Sequence, residues 1–277
     1  MPKARNGAVE LEYQTFGDGQ PETVLLVNGL GSQMTRWPEA FCDLLVARGY
    51  HAIRMDNRDT GLSSWPKGAY TLADMGDDLM AVLDAADVRR AHLAGVSMGG
   101  MVVQRAAIDH PERVLSLTSI MSAPGAQGTL MSTPEAMAVL NVAPPDPKAD
   151  YEGFVAHGVA NARTIGSPDY PWGDGDLRAR VEAEYRRAYN PQGVVRQRAA
   201  IVADGDRTPV LRALKVPTVV LHGADDPLIQ PIGGQATAAA IPDAELRIVP
   251  GMGHDLPPSL YDTFLDAICA AASRASA

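Results

Sequence analysis

A serine flanked by glycines is the strongest chemical signal in this sequence. Residues 95–99 match the pattern Gly-x-Ser-x-Gly and lie between an apolar run at 91–96 and a helical pattern that follows directly. A sharp turn from a strand into a helix exposes a serine hydroxyl, and glycines on both sides let neighbouring backbone segments approach closely. We therefore predict that Ser97 is a nucleophile, with Gly95 and Gly99 as supporting turn residues.

A base must accept the proton of such a serine, and the best candidate is His254. A serine hydroxyl is a poor nucleophile at neutral pH unless an adjacent base activates it. His254 follows the last apolar run, in the stretch Gly-Met-Gly-His-Asp, so it is expected on a loop at the carboxyl edge of a parallel sheet. Structural or surface roles are predicted for the other histidines, which are His51, His92, His110, His157 and His222.

Two adjacent aspartates are candidates for the carboxylate that orients this base. Asp225 and Asp226 follow the strand pattern that ends near residue 222. Successive side chains point in different directions, so only one of them can meet His254, while the other caps the turn. We favour Asp226, because the residue before a proline is held extended and its side chain has a fixed direction. Asp225 remains the alternative.

The oxyanion of a tetrahedral intermediate needs backbone N–H donors. One donor is predicted at Met98, directly after the nucleophile, and the other at Leu30, in the loop after the first buried strand. Asn28 and Gly29 support that loop, because glycine lets the backbone approach a ligand closely. A plain turn is the other interpretation of the glycines around Leu30.

The surrounding elements fit a parallel sheet covered by helices. Short apolar runs alternate with amphipathic segments through the first half of the chain, as in α/β proteins. The predicted strands are residues 23–27, 51–55, 91–96, 115–121, 216–221 and 245–249, and the predicted helices are residues 39–48, 72–86, 98–108 and 259–273.

Residues 124–212 differ from the rest of the chain. They contain proline clusters and no long apolar strand pattern, so we predict an inserted helical cap within a catalytic core formed by 1–123 and 213–277. Such a cap covers the carboxyl ends of the strands, where open α/β sheets bind ligands. Its apolar residues either shape a substrate pocket or pack within the cap itself, and the residues in question are Met131, Met137, Phe154, Tyr170 and Trp172.

Composition limits the possible classes of protein. The 277 residues are 46% hydrophobic, which suits a soluble globular chain, and 33 acidic residues against 24 basic ones give a net charge of −9. This charge argues against nucleic acid as the main partner, because phosphate binding requires clustered Lys and Arg. No signal peptide or membrane span is predicted, so the expected location is the cytoplasm.

Cysteine usage excludes two further classes of site. Cys42 and Cys269 are the only cysteines, and they lack the Cys-x-x-Cys spacing of many thiolate metal sites. A disulfide scaffold also needs more cysteines. We predict two buried thiols and no metal site.

These motifs resemble the α/β-hydrolase superfamily over essentially the whole chain. Ser97 matches the nucleophile of that family, residues 223–227 align Asp226 with its acid, and Gly253-His254 matches its histidine. The catalytic residues implied by the resemblance therefore agree with those inferred from the residues themselves.

Two loops resemble those of the family but differ from them at one residue each. Asn28 stands where the family usually has histidine. Residues 56–63 resemble the family's Asp-x-Arg-Gly-x-Gly-x-Ser loop, with Asp59 in place of a glycine. The stretches Arg-Asp-Thr-Gly and Gly-Met-Gly-His are similar to bacterial carboxylesterases of the aclacinomycin methylesterase type.

The resemblance implies an α/β-hydrolase fold, with a mostly parallel eight-stranded sheet flanked by helices. It also implies a serine carboxylic-ester hydrolase that acts through an acyl-enzyme on a small-molecule ester, without a metal or organic cofactor, as a monomer or homodimer. The alternatives are a carbon–carbon bond hydrolase or lactonase with the same triad, and a noncatalytic ligand receptor. The fold alone does not choose among them.

Overall fold

A single sheet of eight strands forms the centre of the molecule. The computed structural model describes residues 2–275. The strands are β1 (Lys3–Asn6), β2 (Val9–Phe16), β3 (Glu22–Val27), β4 (Tyr50–Met55), β5 (Ala91–Val96), β6 (Val114–Ile120), β7 (Thr218–Gly223) and β8 (Glu245–Val249). Their order is β1-β2-β4-β3-β5-β6-β7-β8, with antiparallel pairing for β1–β2 and β2–β4 and parallel pairing elsewhere. The predicted mostly parallel sheet is confirmed.

Helices cover both faces of this sheet. Along the described residues, the α-helices are α1 (Glu39–Ala47), α2 (Leu72–Ala85), α3 (Met98–Asp109), α4 (Pro134–Leu140), α5 (Tyr151–Ile165), α6 (Asp174–Arg187), α7 (Pro191–Asp204), α8 (Thr208–Leu211), α9 (Ile232–Ala240) and α10 (Tyr261–Ser273), with short 3-10 helices at Met34–Arg36 and Pro258–Leu260. Helices α1 and α10 pack on one face, and α2, α3 and α9 pack on the other. Within residues 2–275, none of these helices is long and apolar enough to cross a bilayer.

Strand β3 shows why the central strands appear as continuous apolar runs. Successive side chains of a strand point to opposite faces of the sheet. Leu25 and Val27 pack with the core under α2 and α3, whereas Val24 and Leu26 pack with the core under α1 and α10. Because both faces are covered, every one of these positions must be apolar.

The segment 124–212 is called the cap below, and its two ends lie close together. All of its residues are described, and they form helices α4 to α8 without a strand. Near its end, the Arg207 amide donates to the carbonyl of Pro124 (2.9 Å), and the Arg207 guanidinium donates to the carbonyl of Ala123 (2.8 Å) and to Gln104 Oε1 (3.1 Å). This buried arginine therefore joins the two ends of the cap to α3.

One cysteine prediction is wrong. Cys42 is fully buried on α1, as predicted, whereas Cys269 on α10 is partly exposed. Cys269 lies near the carboxyl end of an amphipathic helix, and its neighbourhood includes Tyr50 at the start of β4. Burial raises the pKa of the Cys42 thiol to about 12, so this thiol stays protonated at neutral pH.

Candidate active site

The turn at Ser97 joins β5 to α3 at the carboxyl edge of the sheet. Ser97 has φ 57° and ψ −121°, a conformation that L-residues rarely adopt. Its amide donates to the carbonyl of Ile120 on β6 (2.9 Å), and its carbonyl accepts from Ser122 Oγ (2.7 Å). The surrounding strand and loop thus hold a strained backbone in place and leave the Ser97 side chain partly exposed.

Glycines at 95 and 99 are required by close backbone contacts around this turn. A Cβ atom added at Gly95 would overlap the carbonyl of Gly99, and one added at Gly99 would overlap the carbonyl of Val27 and crowd that of Asn28. These contacts are to backbone atoms, which cannot rotate away as a side chain can. The start of α3 is thereby packed directly against the loop that follows β3.

Replacing Gly95 with alanine is expected to destabilise the protein by about 2–4 kcal/mol, the range of severe overpacking. Gly175 in α6 is the matched control, because a Cβ there meets nothing within 4 Å. Gly175→Ala should leave the stability unchanged or raise it by about 0.5–1 kcal/mol, since alanine favours a helix. Urea unfolding of both variants measures the difference, and equal stabilities would contradict the packing argument.

His254 and Asp226 form a buried pair at the same edge of the sheet. The distance from His254 Nδ1 to Asp226 Oδ2 is 2.7 Å. The other oxygen of Asp226 accepts from the amides of Leu228 and Ile229, at 2.9 Å each. The backbone of the β7 loop therefore fixes the carboxylate, and the carboxylate fixes the imidazole.

The ionisation of Asp226 decides which nitrogen of His254 carries the proton. Burial alone would raise the pKa of Asp226, but the charge of His254 and the hydrogen bonds of His222 and His254 outweigh it and lower this pKa to about 2. An ionised carboxylate only accepts hydrogen bonds, so His254 Nδ1 is the donor. In the neutral ring, Nε2 is then free to accept a proton, as a general base requires.

Asp225, the alternative acid, has a different environment. Its Oδ2 accepts from the amide of Gly251 (2.8 Å), and the residue is exposed. It therefore holds the turn that precedes His254 without contacting the imidazole. The structure brings Asp226, and not Asp225, to His254.

Within the described residues, 2–275, Ser97 and His254 are not hydrogen-bonded to each other. Both residues lie on turns at the carboxyl edge of the sheet, after β5 and β8 respectively. Hydrogen bonds between a nucleophile and its base are often long without substrate and tighten in the complex. The geometry therefore joins Asp226 to His254 and places Ser97 on a separate turn at the same edge of the sheet.

The loop after β3 lies directly against the Ser97 side chain. A Cβ atom at Gly29 would be 3.2 Å from Ser97 Cβ and 3.6 Å from Ser97 Oγ. Neither the Leu30 amide nor the Met98 amide has an acceptor within residues 2–275. Asn28 fixes this loop, because its side-chain amide donates to the carbonyl of Met55 (3.3 Å). Two unpaired N–H donors are thus present in the two segments that flank Ser97.

Comparison with known proteins places the chain in a family. Residues 22–258 match the model of the alpha/beta hydrolase fold. The chain belongs to the α/β-hydrolase family.

Similar proteins cover almost the whole chain. Rhodomycin D methylesterase of Streptomyces peucetius is 26% identical in an alignment of 285 positions that covers 96% of this chain and 95% of that protein. A putative carbamate hydrolase of Variovorax paradoxus is 30% identical in an alignment of 249 positions that covers 88% of this chain and 89% of that protein. The meta-cleavage product hydrolase of Pseudomonas fluorescens has the same fold, with a TM-score of 0.82 at 20% identity over 99% of this chain and 98% of that one.

A cap residue that the motifs did not reveal holds the α/β hydrolase's loop after β3. Gln197 on α7 is fully buried, and its Oε1 accepts from the Gly31 amide (2.8 Å). Its Nε2 donates to the carbonyl of Arg58 (2.8 Å). Gln197 therefore connects the segment beside the Leu30 amide to the loop after β4. No sequence pattern indicated it, because a single glutamine in a helical insertion has no distinctive spacing.

The contacts of Asp59 account for an aspartate at a position where the family usually has glycine. Its φ is 72°, the left-handed region in which glycine is at ease, and this accounts for the glycine that the family usually has there. The carboxylate accepts from both Arg196 Nε (2.8 Å) and Arg196 Nη2 (2.6 Å) on α7, and from Tyr70 Oη (2.7 Å). With aspartate in place of glycine, position 59 thus forms an ion pair with Arg196 that joins the core to the cap.

His222 makes a closer contact with the acid than the sequence indicated. Its Nε2 lies 2.7 Å from the carbonyl of Ile229 and 3.5 Å from Asp226 Oδ2. A carbonyl only accepts, so Nε2 carries the proton. The ring packs against α9, where a Cβ at Gly234 would lie 2.5 Å from Nδ1. His222 is therefore a fully buried support of Asp226, in keeping with a structural role.

Three of the remaining four histidines lie away from this edge. His51 and His92 are the second residues of β4 and β5, at the amino edge of the sheet, and His110 directly follows α3. Their rings contact Thr23, Ser116 and Asp77 respectively, and His157 contacts Asn161 within α5.

The aromatic residues of the cap pack either within the cap or against the core. Phe154 packs in a cluster of cap rings with Tyr185 (5.2 Å between centroids) and Tyr189 (5.3 Å). Tyr170 instead packs against the core under α10, and Trp172 lies beneath the Arg180 guanidinium at 4.8 Å. The exposed residues are Met131 and Met137. Packing within the cap thus accounts for Phe154.

Proposed function

We propose that this chain is a serine carboxylic-ester hydrolase that acts through an acyl-enzyme on a small-molecule ester in the cytoplasm. The observation that carries the proposal is the assembly of a strained, partly exposed Ser97 and the His254–Asp226 pair at one edge of the sheet. A nucleophile, a base and a carboxylate on separate loops form the arrangement that activates a serine hydroxyl.

Each proposed residue has a defined part in the reaction. Ser97 Oγ attacks the ester carbonyl carbon while His254 Nε2 takes the hydroxyl proton. The Leu30 and Met98 amides donate to the oxyanion of the tetrahedral intermediate. The intermediate collapses to the acyl-enzyme, and His254 gives its proton to the departing alcohol. Water then attacks the acyl-enzyme with His254 as base, which releases the carboxylic acid and restores Ser97.

The relatives support the ester-cleaving class. One similar protein is named a methylesterase and another a putative carbamate hydrolase, and both names describe cleavage of a bond between a carbonyl carbon and a heteroatom. The two unpaired amides beside Ser97 fit the same chemistry, because a developing oxyanion is what such donors stabilise. The proposal therefore joins the geometry of this chain to the reaction type of its relatives.

A substrate panel tests the reaction class. Nitrophenyl and methyl esters of increasing acyl length are compared with a lactone, a carbamate, an amide and a vinylogous diketone, each by its kcat/KM. We expect the highest kcat/KM for an ester. Preference for the diketone or the lactone would replace the ester proposal by one of the alternatives that share the same triad.

Covalent labelling tests whether the chain is an enzyme of this class at all. A serine-directed organophosphonate should add once per chain, and peptide mapping by mass spectrometry should place the adduct on Ser97. Heat-denatured protein is the control and should remain unlabelled. Absence of both labelling and turnover would favour a noncatalytic receptor and contradict the proposal.

A further inference from the structure

The cap is hydrogen-bonded directly to the loop that carries His254. The cap segment is residues 165–169, at the end of α5, and the histidine loop is residues 251–255. The amide of His254 itself donates to the carbonyl of Ile165 (2.6 Å), and the amide of Asp169 donates to the carbonyl of Gly251 (3.2 Å). The base therefore depends on the cap as well as on Asp226.

Ser167 forms the centre of this contact. It is 3% exposed, and its Oγ lies 2.9 Å from the amide nitrogen of Gly253 and 2.5 Å from Asp255 Oδ1. Its own amide also donates to Asp255 Oδ1 (3.1 Å). An amide N–H only donates, so Ser167 Oγ accepts from Gly253 and gives its single proton to Asp255. The hydroxyl thereby bridges the residues on both sides of His254.

The two segments also touch through their backbones. A Cβ atom at Gly253 would overlap the carbonyl of Gly166, and a Cβ at Gly166 would lie 3.3 Å from Asp255 Oδ2. Nothing flexible separates the segments, so a shift of the cap segment is transmitted to the histidine loop. Packed groups in direct contact do not absorb such a shift.

Two charged groups surround this bridge. Burial raises the pKa of Asp255, whereas the hydrogen bonds from Ser167 and the charges of Arg180 and His254 act in the opposite direction. Arg180, on α6, has a buried Nε without a hydrogen-bond partner among the described residues, and its guanidinium is stacked on Trp172. Ser167 therefore supplies the direct hydrogen bonds of the Asp255 carboxylate, and Arg180 supplies a positive charge farther away.

We propose that Ser167 and Asp255 are positioning residues for His254, through which the cap sets the place of the catalytic base. The proposal rests on the proposed function, because it assigns the base role to His254. Ser167 and Asp255 touch neither the reacting atoms nor the Asp226 carboxylate; they act by fixing Gly253 and the backbone of His254.

A displaced base slows chemistry more than binding. Misplacement of a catalytic group by about 1 Å reduces a rate by up to roughly 100-fold. Removal of the Ser167 hydroxyl should therefore lower kcat by about 10- to 100-fold and change the KM for a small nitrophenyl ester by less than about threefold. A loss of substrate binding would instead raise KM and leave kcat nearly unchanged.

The experiment compares Ser167→Ala with a control in the same helix region. Thr164→Ala removes a hydroxyl that bonds only to the carbonyl of Ala160 in its own helix (3.0 Å), and it should keep the wild-type kcat. Asp255→Ala should reproduce the Ser167→Ala effect and provides the test if Ser167→Ala does not fold. Asp255→Asn should lose less activity than Asp255→Ala, because the amide oxygen can still accept from Ser167.

A spectroscopic measurement separates this proposal from the proposed function. The proton shared by His254 Nδ1 and Asp226 gives a low-field NMR resonance that does not depend on any substrate. Ser167→Ala and Asp255→Ala should broaden or shift it, whereas Thr164→Ala should not. An unchanged resonance in both variants, with a kcat equal to that of Thr164→Ala, would overturn the positioning role. A shifted resonance in a protein without esterase activity would support the positioning role and contradict only the proposed function.

Discussion

Replacing Ser97 with alanine is expected to abolish ester hydrolysis while the protein remains folded. The hydroxyl is the only group on this turn that can form the acyl-enzyme, so we expect kcat to fall by about 10⁴-fold or more. Alanine keeps a Cβ at a position whose φ is already 57°, so it adds no steric conflict to the turn. The measurement is kcat on a nitrophenyl ester, together with urea unfolding.

A buried serine on the neighbouring strand is the matched control. Ser119 on β6 is fully buried, and its hydroxyl accepts from Gln104 Nε2 (3.1 Å) on α3. Ser119→Ala removes the same atom from a fully buried position and should keep kcat within about threefold, since a polar group outside the proposed site contributes mainly to stability. Comparable losses in both variants, or substantial activity in Ser97→Ala, would show that another residue is the nucleophile.

The parallel part of the fold could be predicted because its strands are buried on both faces. Strand β5 was predicted with its observed limits, Ala91–Val96, and β8 likewise at Glu245–Val249. Strand β2 was not predicted, although Val9, Leu11 and Tyr13 alternate with polar residues. A half-exposed antiparallel strand gives only this weak two-residue period, and β1 has four residues. Helix α9 was not predicted because the two faces of its sequence, Ile-Gly-Gly-Gln-Ala-Thr-Ala-Ala-Ala, differ little in polarity.

Some residues of the candidate site lie in distinctive sequence motifs, and others do not. Ser97 and His254 follow strand patterns within distinctive turns, so their edge of the sheet could be predicted from the chain alone. Gln197 and Ser167 act from the cap across long sequence separations, and nothing in their local sequence indicates a partner. Their contacts depend on how the insertion folds back onto the core. That arrangement is a property of tertiary packing, which short-range patterns do not encode.

Replacing Asp226 with asparagine is expected to lower kcat far more than the same change at Asp225. Asp226 is 2% exposed, and its carboxylate accepts from two amides through Oδ1 and from His254 through Oδ2. In Asp226→Asn, Oδ1 keeps the two amides, so the new NH₂ group faces His254 Nδ1 and donates to it. The imidazole must then carry its proton on Nε2, where it can no longer accept the proton of Ser97.

The expected loss for Asp226→Asn is about 10⁴-fold in kcat, the scale of a wrong imidazole tautomer. Asp225→Asn should stay within about threefold, because the exposed side chain can still accept from the Gly251 amide through its amide oxygen. Both changes remove one negative charge from adjacent positions, so a general electrostatic effect would lower kcat equally in the two variants. Equal losses would therefore reject Asp226 as the orienting acid, whereas a loss confined to Asp226→Asn would assign the effect to the hydrogen bond at His254 Nδ1.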